Sequence, residues 1–71
     1  MNAKEWIAAY AQALGTSAPT ADEFRQLLEL AGEAAHSSER VAAPVACWVA
    51  AKSGRDLGEA MTLARRIASD G

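Results

Sequence analysis

Apolar side chains return every three or four positions along most of this chain, and four segments carry that period. Trp6, Ile7, Tyr10 and Leu14 predict a first helix over about residues 3–14, with Gly15 where a left-handed C-terminal cap is expected. Phe24, Leu27, Leu28, Ala31, Ala34 and Ala35 form one face of a second helix that ends near His36, with Leu30 toward the edge of that face. Val41, Val45, Trp48, Val49 and Lys52 share one face of a third helix over about 41–53, stopped by Gly54. Leu57, Ala60, Met61, Ala64, Ile67 and Ala68 make the buried stripe of a fourth, which starts at Asp56 and is expected to fray at Ser69, Asp70 and Gly71.

Polar residues punctuate these segments. Thr20-Ala21-Asp22-Glu23 is a capping box, in which the Thr20 hydroxyl accepts from the Glu23 amide and the Glu23 carboxylate reaches back to Thr20. Asp56-Leu57-Gly58-Glu59 is a second candidate box, with Asp as a less typical first member. Pro44 has no amide hydrogen and belongs in a first helical turn, so the third helix starts no earlier than Arg40. Gly32 and Gly58 lie inside helices. Either they mark crossings where backbones approach closely, or Gly58 simply sits in a first turn and Gly32 on an open face. Connections of about four to six residues favour antiparallel neighbours. The fold class expected is all-α, a compact bundle of four short, mostly antiparallel helices in a single domain over 1–71, ordered over about 4–68. The first helix is its weakest member and packs across the other three.

Composition changes this picture in one respect. Of the 71 residues, 51% are hydrophobic, yet 18 are alanine and only four are aromatic, namely Trp6, Tyr10, Phe24 and Trp48. A core of large side chains cannot be built from this set, so the helices must approach one another closely. The fold is marginal by itself, and caps, alanine propensity or a partner must contribute. The alanines leave too little interior for an enclosed active site, so no enzymatic activity is expected. The few β-branched residues exclude an all-β domain. One cysteine and one histidine provide neither a disulfide framework nor a zinc cluster, and no apolar run approaches the roughly 20 residues of a membrane span.

The net charge is −2. Two bases and five acids in residues 1–36, against five bases and four acids in 37–71, do not make the basic stripe that nucleic acid requires. Met1 to Trp6 lacks the charged start and apolar stretch of a signal peptide, and the lone cysteine suits a reducing compartment, so a cytoplasmic location is expected.

His36, Glu39 and Arg40, beside Pro44, are the one polar cluster with the look of a site. A His near a Glu can relay a proton, and an Arg beside a helix start can hold a carboxylate or phosphate. The structural reading, which the residues alone favour, is that His36 caps the second helix and Glu39 and Arg40 tie down the connection. Cys47 falls mid-helix, far from any base that would activate it, and reads as a small, half-buried apolar residue. Trp48 reads as core, and Trp6 fits either the core or a partner surface. Arg65-Arg66 reads as a solvated helix end rather than an anion site.

Three stretches together carry a family resemblance. They are Trp6 to Leu14-Gly15, Leu27-Leu28-Glu29-Leu30-Ala31, and most specifically Ala35-His36-x-x-Glu39-Arg40-x-x-Ala43-Pro44. The chain resembles, over roughly Glu5 to Ala68, a small domain of unknown function found mainly in actinobacteria. That domain occurs free-standing or fused to the C-terminus of molybdenum-cofactor guanylyltransferase-like proteins. The sequence departs from the family pattern after Pro44, where members often carry a glycine at the place of Ala50 or Ala51. The resemblance implies no established activity and no cofactor. It implies a helper or interaction module in molybdopterin-guanine-dinucleotide biosynthesis or delivery, with a guanylyltransferase-like or molybdoenzyme accessory protein as partner. It also gives weight to His36, Glu39, Arg40 and Pro44 as motif positions. The alternative is a small domain that binds an anionic ligand or nucleotide through the His36–Arg40 segment. A monomer or weak homodimer is expected, with no nucleic acid and no membrane as partner.

Overall fold

Four helices make up the computed structural model, which describes residues 1–70: α1 (Ala3–Leu14), α2 (Ala21–Ser37), α3 (Ala42–Ser53) and α4 (Leu57–Asp70). No strand occurs among the described residues. α2 is the hub. Both α3 and α4 pack along it, while neither α1 nor the α3–α4 pair makes a comparable contact. The result is a small all-α bundle with an elongated outline, 38 × 23 × 18 Å.

Local chemistry explains each helix start and stop. The Thr20 box forms in full, with Glu23 N–H donating to Thr20 Oγ1 at 3.1 Å and Thr20 N–H donating to Glu23 Oε1 at 2.8 Å. An equivalent box at α1 was not expected from the sequence. Asn2 Oδ1 accepts from Glu5 N–H at 2.8 Å, and Glu5 Oε1 accepts from Asn2 N–H at 2.9 Å. The Asp56 box forms by half: Asp56 Oδ1 accepts from Glu59 N–H at 2.8 Å, but the Glu59 carboxylate takes the Arg55 guanidinium instead of turning back to the cap. Gly15 and Gly54 close α1 and α3 at φ 80° and 74°, left-handed values that favour glycine. At α1, Thr16 N–H reaches Ala11 O at 2.9 Å and Gly15 N–H reaches Gln12 O at 3.1 Å, the paired bonds of a Schellman end. Ser69 and Asp70, expected to fray, continue α4, and Gly71 lies outside the described residues.

The buried side chains are Ala11, Leu30 and Met61. Leu30, placed at the edge of the α2 face by its period, is instead the most buried residue, at 3% exposure, and Leu28 is exposed. The reason is that α2 is flanked by two helices. The arc it buries is wide and is centred between α3 and α4, which turns Leu28 outward. Ala31, Ala34, Ala35, Ala60, Ala64 and Ala68 are all half-buried, consistent with spacers that let α4 lie close to α2. Arg65 adds a loose electrostatic tie between these helices, 3.8 Å from Glu29 and 3.9 Å from Glu33 on α2. On α2 itself, Arg25 bridges Asp22 at 2.7 Å and Glu29 at 2.6 Å, ion pairs that hold its guanidinium more firmly protonated than usual.

Neither internal glycine marks a helix crossing. A methyl group at Gly32 would meet nothing within 4 Å, and one at Gly58 would meet only the nearby Asp56 carboxylate at 3.3 Å. Gly32→Ala is therefore expected to stabilise the domain by about 1 kcal/mol through helix propensity. Urea unfolding checks this, and a loss of stability would show that a neighbour occupies the space.

Candidate functional site

α3 departs most from its expected packing. The face carrying Val41, Val45, Trp48 and Val49 turns away from α2, leaving Val45 59%, Trp48 62% and Val49 53% exposed. The residues turned toward the bundle are small: Ala43, Ala46, Cys47 and Ala50 are half-buried. Small side chains on both helices allow a closer approach of α3 to α2 than Trp48 would permit. The Cys47 thiol lies 3.9 Å from the Leu27 carbonyl oxygen of α2. Trp48 stacks with its own helix instead, with Lys52 Nζ 4.9 Å from the ring centroid.

α4 behaves similarly at one point. Ile67, expected in the buried stripe, is 72% exposed. Because α3 and α4 each lean on α2 rather than on each other, an open groove of about 460 Å³ runs between them. Leu30 lies beneath it. Val45 and Val49 stand along the α3 wall, and Leu63 and Ile67 along the α4 wall. Ala46, Ala50 and Ala64 form the recesses between these ridges. The one charged lining residue is Arg55, at the end near the α3–α4 connection, and its guanidinium is already paired with Glu59. The groove is thus apolar and locally neutral. It can take up apolar side chains, and its one hydroxyl, on Ser53, is engaged with backbone, donating to Ala50 O at 2.6 Å and accepting from Arg55 N–H at 3.2 Å.

His36, Glu39, Arg40 and Pro44 are all exposed. The Glu39 and Arg40 carbonyls accept the first amides of α3, from Ala42 at 3.0 Å and Ala43 at 3.1 Å. Among the described residues, no ion pair joins the side chains of His36, Glu39 and Arg40 to each other or to another group. His36 occupies the last turn of α2, where a cation suits the helix dipole. None of the four lines the groove, although Ala42, two residues after Arg40 in the chain, does. No group of three His, Cys, Asp or Glu side chains among the described residues stands close enough to hold a metal ion. No helix among them is long and apolar enough to cross a membrane.

Cys47 is a packing residue in this setting, and burial pushes its thiol above the usual value. Alkylation of the folded chain is expected to be slower than that of the urea-unfolded chain, with the rate rising at higher pH. The same shift means that stability, complete below the unfolded thiol value, declines as the pH rises through the folded one. Equal alkylation rates in folded and unfolded chain would contradict this placement.

A second apolar stripe lies on α1, where Trp6 and Tyr10 stack with centroids 5.1 Å apart and planes 32° apart. Trp6, Tyr10 and Leu14 are each more than half exposed, which assigns Trp6 to the surface rather than the core. The surface roles of Val45, Val49, Leu63 and Ile67 do not follow from their period. One available signal is the run Val41–Ala51, which contains no charged, amide or hydroxyl side chain. A helix apolar on every side is normally covered on every side.

A four-helix module with an open apolar groove, and without an assembled polar centre, is the class that this geometry defines. The chain belongs to a family described as a domain of unknown function, DUF6457, which matches residues 1–70. No match was found among curated proteins or among solved structures.

Proposed function

We propose that this chain is a non-catalytic protein-interaction module that binds through the α3–α4 groove and the adjoining α3 ridge. One observation carries the reading: the run Val41–Ala51 has no charged, amide or hydroxyl side chain, yet Val41, Val45, Trp48 and Val49 are each more than half exposed. Exposed apolar surface of this extent marks interaction sites in monomeric proteins. The exposed polar residues His36, Glu39 and Arg40 immediately precede α3 in the chain and would serve as part of a polar rim, the usual surround of an interface core.

The resemblance described above supplies the heterologous partner to try first, a molybdenum-cofactor guanylyltransferase-like protein, with a helper role in biosynthesis or delivery of that cofactor. Methyl-labelled chain titrated with such a protein is expected to show shifted or broadened signals for Val45, Val49, Leu63 and Ile67. Changes confined to residues far from α3 and α4 would contradict the reading.

A further inference from the structure

We infer that the groove is filled by a second copy of this chain, with α3 of each copy lying in the groove of the other about a two-fold axis. The inference rests on the interaction-module reading and names the occupant of the same surface.

The exposed area of the chain favours a second copy. For 7.4 kDa, the relation between mass and surface for compact monomers gives about 4,200 Å². This chain exposes 5384 Å², about 1,200 Å² more than that relation predicts. A standard interface removes about 800 Å² from each partner; the excess, spread over the whole chain and including Trp6, Tyr10 and Leu14 of α1 as well as Val45, Trp48, Val49 and Ile67, is of that order. The radius of gyration agrees: it is 12.7 Å, against about 11 Å for a compact chain of this length.

The complementary element is present in the chain itself. The groove needs a slender, uncharged helix bearing apolar ridges. Over residues 41–51 α3 is such a helix, with Val41, Val45, Trp48 and Val49 projecting from a small-residue backbone, and Lys52 follows at its C-terminal end, over the Trp48 ring. It also forms one wall of the groove, so a two-fold axis can satisfy both requirements at once: the same patch serves on both copies, as closed dimers require. Alanine recesses at 46 and 64 face valine and isoleucine ridges, which gives each copy both halves of a ridge-in-groove contact.

The charge of the groove is compatible with a second copy. The one charged residue in the lining, Arg55, is neutralised within its own chain by Glu59. The groove itself therefore opposes no unpaired charge to a second copy, and the cation that each docking α3 brings is Lys52, at its C-terminal end over its own Trp48 ring.

The test uses the full chain. Sedimentation equilibrium between about 1 μM and 1 mM is expected to show the mass rising with concentration to twice 7.4 kDa, with a dissociation constant below about 10 μM. A sample mixing isotope-labelled and unlabelled chain is expected to show intermolecular nuclear Overhauser effects linking Val45 and Val49 of one copy to Leu63 and Ile67 of the other. Val49→Asp should weaken the dimer by about 100-fold while leaving the helical circular dichroism in place. Ile67→Lys, on the opposite wall, serves as a second variant should Val49→Asp fail to fold. A chain that stays at the monomer mass at 1 mM overturns the inference. A dimer whose intermolecular effects join Trp6 or Tyr10 to Val49 also overturns it, because α1 would then be the occupant. If the chain is monomeric but a guanylyltransferase-like protein perturbs α3 and α4, only the choice of occupant is wrong. If neither self-association nor that protein perturbs the groove, both the inference and the interaction-module reading are refuted.

Discussion

Leu30→Ala is expected to cost about 3 kcal/mol, whereas Leu28→Ala, two positions away on the same helix, should stay within about 0.5 kcal/mol. Leu30 is the most buried side chain described and lies between α2, α3 and α4 beneath the groove. Truncating it removes the contact common to three helices, and the thin surroundings of half-buried alanines have few side chains able to move into the space. A domain of this length holds about 4–10 kcal/mol of stability in total, so the loss is a large share of the whole. It should lower the melting temperature by about 10–20 °C. Leu28 is 62% exposed, on the side of α2 turned away from the groove, and has little to lose. Urea unfolding of both variants, at a concentration low enough to keep the chain monomeric, gives the comparison. Similar losses at the two leucines would refute the central position of Leu30.

That pair also shows where the sequence could be read and where it could not. Helix positions rest on local signals: the Thr20–Glu23 box, the left-handed Gly15 and Gly54, and Pro44 in a first turn all act within a few residues. Each of these is visible in one stretch of chain. Which face a helix buries is not local. Period alone ranks faces by the size of their apolar residues, and in α2 that favours Phe24, Leu27 and Leu28. The structure ranks them by how many neighbours the helix has, and α2 has two, so the buried arc centres on Leu30.

The same reasoning governs the candidate site. His36, Glu39 and Arg40 are adjacent in sequence, but their side chains extend from an exposed connection and are not drawn together by ion pairs. Their prominence in the sequence came from their chemistry, whereas the groove comes from the splay of α3 and α4, which no single segment encodes. The alanine content was the useful clue. It indicated close backbone approach, and close approach by small residues is what pushes the large residues of α3 outward.

Cys47→Leu and Trp48→Ala carry this argument to a measurement at adjacent positions. Cys47→Leu is expected to cost about 2 kcal/mol, because its side chain already lies against the Leu27 carbonyl and the added volume has to displace α3 from α2. Trp48→Ala removes a far larger side chain, yet in the monomer it should cost less than about 1 kcal/mol, since its ring is 62% exposed and its stacking partner is Lys52 on the same helix. Side-chain volume alone would rank the two the other way. Urea unfolding in dilute solution compares them directly, and methyl chemical shifts of Leu27 and Leu30 report whether α3 has moved. If Trp48→Ala proves the more damaging in the monomer, the tryptophan is a core residue and the outward-facing α3 ridge is wrong. If Cys47→Leu is the more damaging, α3 is held to α2 by its small residues, and its large ones remain free to contact something else.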